Sequence, residues 1–188
     1  MVLAGPLVLV VGPSGAGKDT LISGAKLALQ DDARFVFPRR IVTRNAVTAL
    51  EDHDSVGQAE FERERHAGRY ALCWEAHGLS YALPRSIETD MALAHAVVCN
   101  VSRRVIAEAR AKYPNCRVLL ITADIGLRAQ RLAGRGREGV DEIAARLGRE
   151  GAPPPDGVQP VVIDNSGSPA AGVRSFVLAL RRIADGLD

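Results

Sequence analysis

The segment that decides the fold is GPSGAGKD at residues 12–19. It follows a short apolar run, LVLVV at residues 7–11, and it precedes TLISGAKLALQ, in which apolar residues recur at helical spacing. A strand, a glycine-rich turn and a helix in this order are the context that a Walker A phosphate-binding loop (P-loop) requires. An uninterrupted apolar run is typical of a central parallel strand covered on both faces. We therefore predict a nucleotide-binding α/β fold.

The loop contains the residue types that phosphate binding needs. Gly12, Gly15 and Gly17 permit positive φ and a close approach of the backbone to a phosphate. Successive N–H groups and the helix N-terminus then point at the anion, and Lys18 is expected to reach the β- and γ-phosphates. We predict that the segment binds ATP through Gly12, Pro13, Ser14, Gly15, Ala16, Gly17, Lys18, Asp19 and Thr20.

One position departs from the Walker A pattern. Asp19 stands where Ser or Thr normally offers a hydroxyl to Mg²⁺, and Thr20 follows it. A carboxylate there can bind the metal directly or through a water, and it would repel the triphosphate unless a metal lay between them. We therefore place Asp19 and Thr20 on the metal side of the site, with Mg²⁺ as the expected cofactor.

Composition limits the possible classes of protein. The chain has 188 residues, of which 47% are hydrophobic and 24% charged, which fits one globular domain and excludes a disordered tail protein. The net charge is +2, so bulk charge does not favour binding to nucleic acid or membranes, and we expect neither partner. The three cysteines show neither disulfide nor metal spacing, which suggests free thiols in a reducing cytoplasm. The apolar start is too short to span a bilayer.

The rest of the chain alternates between strand and helix patterns. We predict a helix at residues 55–68, with Ser55 and Gln58 as a capping box, and a helix opened by Pro84. Residues 35–44 mix β-forming residues with three arginines. Two strands, at residues 70–75 and 79–83, are predicted to form a hairpin that turns at His77-Gly78. Further strands are predicted at 97–101, 117–121 and 161–164, and a last helix at 170–183. This alternation predicts a doubly wound parallel sheet with helices on both faces.

Motifs along essentially the whole chain resemble those of the guanylate kinase superfamily. They are GPSGAGKD at residues 12–19, RRIVTR at 39–44, WEAHGLSYALP at 74–84, RLAGRGRE at 131–138 and IAARL at 143–147. The resemblance implies a single domain over residues 1–188, with an acceptor-binding region near 34–95 and an arginine-rich lid near 125–150. It also places residues 164–167 where such kinases contact adenine.

Three positions depart from the guanylate kinase pattern. Leu72 replaces the acidic residue that reads guanine, Val47 replaces a phosphate-binding arginine, and Asn100 begins the segment that replaces a DxD motif. A guanine edge facing Leu72 would leave buried donors unpaired, at a cost of roughly 1–3 kcal/mol. The chain is therefore not interpreted as a guanylate kinase.

The combination GPSGxGKD, RxxTR, WxAxGLxY and NxSR is similar to the ribose 1,5-bisphosphate phosphokinase family of phosphonate degradation. In that family an Asp after the P-loop lysine is usual. The resemblance implies transfer of a phosphoryl group from ATP to ribose 1,5-bisphosphate, giving ADP and 5-phosphoribosyl 1-diphosphate (PRPP). We assign the acceptor phosphates to Arg40, Arg44 and Tyr81, and lid contacts with the triphosphate to Arg131, Arg135, Arg137 and Arg146.

Two alternatives remain from the sequence. One is a nucleoside monophosphate kinase with an altered base preference. The other is a non-catalytic guanylate-kinase-like module that holds a partner peptide in the acceptor cleft. Such modules typically lose the P-loop residues that this chain retains.

Overall fold

The computed structural model describes residues 4–44, 53–76, 78–134 and 157–187. The short element at Arg103–Val105 is a 3₁₀ turn. The strands and helices of these residues are β1 (Leu7–Val11), α1 (Lys18–Ala28), β2 (Phe35–Val36), β3 (Arg40–Val42), β4 (His53–Ser55), α2 (Gln58–His66), β5 (Tyr70–Ala76), β6 (Leu79–Pro84), α3 (Ile87–Ala92), β7 (Ala96–Asn100), α4 (Ile106–Lys112), β8 (Cys116–Thr122), α5 (Ile125–Ala133), β9 (Val161–Asp164) and α6 (Pro169–Ala184).

Five strands form a parallel sheet in the order β2-β7-β1-β8-β9. The strand before the P-loop, β1, lies at the centre, between β7 and β8. The crossovers between these strands contain helices, as parallel pairing requires. The predicted parallel α/β fold is confirmed.

Both faces of the parallel sheet are covered. Every residue of β1 is fully buried. Leu7 and Leu9 join an apolar cluster with α3, α4 and the second sheet, whereas Val8 and Val10 join another with α1 and α6. The apolar run near the start is thus a core strand, as predicted. In the part of the chain that the structure describes, no helix has both the length and the apolar character to cross a membrane.

A second sheet of four strands has the order β4-β3-β6-β5. The predicted hairpin is confirmed, since β5 and β6 are antiparallel neighbours. Leu72 and Leu83 lie opposite each other, as do Trp74 and Tyr81, so the four side chains share one face. All four belong to, or pack against, the apolar cluster on the parallel sheet. That packing fixes the second sheet beside the P-loop strand.

Two predicted helix starts are wrong. Ser55 is the last residue of β4, where it pairs with Val42, and α2 begins at Gln58 after Gly57. The predicted capping box therefore does not form, because strand pairing uses the backbone of Ser55. Pro84 ends β6 rather than opening a helix, and α3 begins at Ile87.

Candidate nucleotide-binding site

The polar residues of the candidate site collect at the carboxyl ends of the parallel strands. The P-loop follows β1, Asn100 ends β7, Thr122 ends β8 and Asn165 follows β9. Ligands of open α/β sheets bind at this edge, in the crevice outside the strand ends. The structure therefore brings the P-loop together with residues that lie far from it in sequence.

The P-loop has the backbone conformation that only glycine adopts easily. Gly15 and Gly17 have φ of 78° and 88°, in the left-handed region. A Cβ on Gly15 would lie 2.7 Å from the carbonyl oxygen of Arg128, which belongs to the backbone of α5. Glycine is therefore needed here for two reasons: the positive φ of the turn and the close approach of α5 to Gly15.

Lys18 is the first residue of α1, and its side chain turns back across the loop. Its Nζ donates to the carbonyl oxygens of Gly12 and Pro13, at 2.7 and 3.1 Å. The ammonium group is therefore held over the loop, where the phosphates of a bound nucleotide would arrive. The predicted contact of Lys18 with the β- and γ-phosphates stays a prediction, and this position is compatible with it.

Asp19 lies beside the residue that replaces the first acid of the DxD motif. The amide Nδ2 of Asn100 donates to Oδ1 of Asp19 at 2.7 Å, although 81 residues separate them. Relative to the guanylate kinase pattern, the P-loop has gained a carboxylate at Asp19 and β7 has lost one at Asn100. These two positions are therefore neighbours in the structure. Asp19 and Thr20 are both exposed, in the first turn of α1.

The donor set at this point fits a magnesium ion. Mg²⁺ prefers oxygen ligands and usually binds through one or two carboxylates together with waters and substrate phosphates. Among the described residues, no group of three or more His, Cys, Asp or Glu side chains could hold a metal ion. Asp19 and Thr20 are the residues of the P-loop segment whose oxygen atoms would hold such an ion.

Two residues from other elements bind the P-loop backbone from outside. Arg128 of α5 is 7% exposed, and its Nε donates to the carbonyl oxygen of Ser14 at 3.0 Å. Asn165 is 3% exposed, and its Nδ2 donates to the carbonyl oxygen of Ala16 at 2.8 Å. The sequence predicted neither contact: Arg128 was given no role, and Asn165 was placed only in the segment 164–167 that the resemblance assigns to adenine. The available signals were an arginine four residues before the apolar Leu132 on one helix, and an amide just beyond a buried strand.

Of the predicted lid arginines, the structure describes Arg131. Its guanidinium donates to the carbonyl oxygens of Gly15 and Asn165, at 3.3 and 3.0 Å. It therefore lies at the P-loop, and its proposed contact with the triphosphate remains a prediction. The other predicted lid residues, Arg135, Arg137 and Arg146, lie outside the described residues.

The predicted acceptor residues lie on the second sheet. Tyr81 of β6 pairs with Val42 of β3, and Arg40 is two residues from Val42 on the same strand, so Arg40 and Tyr81 share the face that turns towards the parallel sheet. Tyr81 stacks on Trp74, with ring centroids 5.5 Å apart and an interplanar angle of 8°. The third predicted residue, Arg44, is exposed beyond the end of β3.

The environment of the two buried cysteines, Cys99 and Cys116, argues against thiol chemistry. Burial raises the pKa of the Cys99 thiol far above its ordinary value, and the positive charge of Arg40 acts in the opposite direction. Burial likewise raises the pKa of Cys116 to about 11. Both are free thiols, protonated at neutral pH, so neither is a suitable nucleophile.

Leu72 occupies the position at which a guanylate kinase has its guanine-reading acid. It is 1% exposed and belongs to the apolar cluster that includes Leu7 and Leu9. A side chain in this environment accepts no hydrogen bond from a base. The structure therefore supports the interpretation that guanine is not read at this position.

Comparisons with known proteins identify the family. The chain is 48% identical over 180 residues to the ribose 1,5-bisphosphate phosphokinase PhnN of Brucella abortus biovar 1 (strain 9-941), covering 96% of this chain and 94% of that protein. It is also 48% identical over 179 residues to the protein of the same name from Methylobacterium radiotolerans (strain ATCC 27329 / DSM 1819 / JCM 2831 / NBRC 15690 / NCIMB 10815 / 0-1), covering 95% of this chain and 99% of that protein. The chain belongs to the ribose 1,5-bisphosphate phosphokinase family. The predicted resemblance is confirmed.

The comparison with solved structures agrees on the fold. The chain is similar to the crystal structure of guanylate kinase from Anaplasma phagocytophilum, with a TM-score of 0.67 at 16% sequence identity, covering 96% of this chain and 87% of that one. At this identity the likeness shows the P-loop kinase fold alone. No protein-family model matches the chain. The family assignment therefore rests on the relatives that share nearly half of its residues.

Proposed function

We propose that this chain transfers the γ-phosphoryl group of ATP to ribose 1,5-bisphosphate, giving ADP and PRPP. The observation that carries this proposal is the 48% identity to phosphokinases of that name over 94–99% of their length. The complete P-loop, with Lys18 folded over it, supplies the donor site that such a reaction needs. The proposal also places the enzyme in phosphonate metabolism and in the cytoplasm, where ATP is available.

The chemistry needs no general base. An oxygen of the acceptor's 1-phosphate, already an anion, attacks the γ-phosphorus in line, and the bond from that phosphorus to the β-bridging oxygen breaks as ADP leaves. Catalysis then consists of positioning and charge neutralisation. In this assignment, the P-loop N–H groups and Lys18 hold the donor phosphates.

The proposed acceptor site lies on the second sheet, across from β7. Arg40 and Arg44 would bind acceptor phosphates, and Tyr81 would donate its hydroxyl to one of them. An acceptor with two phosphates suits arginine, because a guanidinium pairs with phosphate through two parallel hydrogen bonds. Stacking on Trp74 holds the ring of Tyr81 in place. The same proposal includes contacts between the lid and the triphosphate of ATP, made by Arg131, Arg135, Arg137 and Arg146.

We assign the magnesium site to Asp19, with Thr20 beside it. When bound, Mg²⁺ supplies neutralisation of the charge on the β- and γ-phosphate oxygens. The carboxylate of Asp19 is oriented by its hydrogen bond from Asn100. In this arrangement Asn100 keeps Asp19 from turning into solvent without adding a second negative charge.

Replacing Asp19 with alanine tests the metal assignment, because serine would restore the hydroxyl that usually binds Mg²⁺ at this position. We expect Asp19→Ala to raise the Mg²⁺ concentration for half-maximal activity by about tenfold, since the loss of one charged oxygen ligand costs on the order of 1.4 kcal/mol. Activity is titrated with Mg²⁺ at saturating ATP. The control is Asp31→Ala, which removes an exposed carboxylate just beyond the other end of α1. An Mg²⁺ titration identical to that of the wild-type protein would reject the assignment.

An acceptor screen separates the proposal from its rivals. We expect fast ADP production with ribose 1,5-bisphosphate, and turnover at least a hundredfold slower with GMP, AMP, CMP, UMP or ribose 5-phosphate, since these lack the paired phosphates that the arginines would bind. Coupled detection of ADP measures the rate, and phosphorus NMR identifies the product. Fast turnover of GMP would instead indicate a divergent guanylate kinase. No saturable binding of a fluorescent ADP analogue would favour the non-catalytic module.

A further inference from the structure

Five consecutive backbone carbonyls of the P-loop, those of residues 12–16, accept hydrogen bonds from side chains. Lys18 binds the first two from within the loop. The next three are bound from outside it, by a set of donors that we call the P-loop clamp. The clamp consists of Arg128 Nε on Ser14, Arg131 Nη1 on Gly15 and Asn165 Nδ2 on Ala16.

The clamp fixes the direction of the N–H groups that would bind phosphate. In a planar trans peptide the N–H points opposite to the C=O. When the carbonyls of Ser14 and Ala16 are held outward, the amide N–H groups of Gly15 and Gly17 are turned to the opposite side. A glycine-rich loop can adopt many other conformations. The clamp restricts the loop before the nucleotide binds, so less conformational entropy is lost on binding.

The clamp is built into the packing. Arg128 and Asn165 are both more than nine-tenths buried. Asn165 fits only because of neighbouring glycines, since a Cβ on either Gly17 or Gly172 would collide with its side-chain amide. Its Oδ1 has no hydrogen-bond partner among the described residues. Leaving the Oδ1 of a buried amide without a hydrogen bond costs free energy. This cost indicates that the hydrogen bond from Nδ2 to the carbonyl oxygen of Ala16 has a specific use.

The clamp also adds positive charge behind a loop that receives a polyanion. The guanidinium group of Arg128 is buried against the loop backbone. A buried charge is screened weakly, so its field reaches the phosphates across one layer of backbone. Arg131 also donates to the backbone oxygen of Asn165, which joins α5 to the segment after β9.

We propose that Arg128 and Asn165 are positioning residues that preorganise the P-loop for the phosphates of the donor nucleotide. This inference rests on the proposed function, since it assumes that the loop binds ATP. The two residues act through the loop carbonyls and not by touching the substrate. Without them the loop samples conformations that cannot bind, and the apparent dissociation constant rises in inverse proportion to the fraction of time that the loop is competent to bind.

The test compares donor and acceptor binding in two variants that remove a donor group but keep volume. Arg128→Met and Asn165→Leu are each expected to raise the dissociation constant for ADP, measured by calorimetry, by about tenfold, as for a loop that is competent about one tenth of the time. The KM for ATP should rise by a similar factor, while the KM for ribose 1,5-bisphosphate stays within twofold. The matched control is Arg110→Met, which removes an exposed guanidinium that donates to the backbone carbonyl of Gly157 at 3.0 Å, away from the P-loop.

Each outcome of this comparison has a definite meaning. Unchanged ADP binding in both variants would contradict the proposal that Arg128 and Asn165 preorganise the P-loop. Equal rises in the KM for ATP and for ribose 1,5-bisphosphate would contradict it too, because a general loss of structure affects both sites. If Arg128→Met does not fold, the result with Asn165→Leu decides in the same way. A wild-type protein that binds no ADP would contradict the proposed function itself, and the clamp with it.

Discussion

Lys18→Ala is expected to lower kcat by about 10³-fold while the protein remains folded. The side chain is a charge held over the P-loop by two backbone carbonyls, so its removal creates no cavity in the core. Loss of one preorganised donor to charge that develops in the transition state typically costs 10²–10³ in rate, and a full charge on a transferring phosphoryl group lies at the upper end of that range or above it.

The measurement is a single-turnover rate with saturating ATP and acceptor, accompanied by a melting curve. The lost hydrogen bonds are half-exposed and worth about 1 kcal/mol, which corresponds to a shift of roughly 2–4 °C for a chain of this size. Lys26→Ala serves as the control, because it removes a lysine from the last turn of the same helix. A rate within tenfold of wild type for Lys18→Ala would contradict the assigned role of this lysine.

The P-loop could be predicted from sequence because its determinants are local. A buried strand, three glycines and a helix follow one another within residues 7–28, and each pattern has a distinct physical cause. The bounds of β9 were predicted to the residue, and those of β7 and β8 to within one residue. In each case the apolar run ends where the strand leaves the core.

Elements with ambiguous local signals were predicted less well. Ser55 has the chemistry of a helix cap, but its backbone pairs with β3 instead. Pro84 fits the first turn of a helix as well as it fits the end of a strand, since its fixed φ is compatible with both. The pairing of Pro84 with Tyr70 decides between these positions, and it is a tertiary contact that no short window of sequence contains.

The hydrogen bonds that support the site join residues far apart in sequence and were therefore not predicted. The hydrogen bond from Asn100 to Asp19 joins residues 81 apart, and that from Asn165 to Ala16 joins residues 149 apart. Sequence identified Asp19 as unusual and Asn100 as a replaced acid, but only the fold shows that the two side chains meet. Arg128 illustrates the same limit, because an arginine on a helix is usually solvated.

Arg40→Met is expected to reduce kcat/KM for ribose 1,5-bisphosphate by about a hundredfold. The methionine keeps most of the aliphatic length but removes the guanidinium, and a lost hydrogen bond between charged groups costs about 1.5–3 kcal/mol, which corresponds to roughly 10–150-fold. The effect should appear mainly as a raised KM for the acceptor. Donor binding should be unaffected, because Arg40 lies on the second sheet and not at the P-loop.

The neighbouring arginine provides the control for this test. Arg39 is the preceding residue, and its side chain donates to the carboxylate of Asp54 at 2.8 Å and to the backbone oxygen of His53 at 2.7 Å. Alternation along an extended strand directs Arg39 away from the face that Arg40 shares with Tyr81. Arg39→Met should therefore leave the acceptor KM within twofold of wild type. Equal effects of the two substitutions would mean that general positive charge, and not a phosphate contact by Arg40, attracts the acceptor.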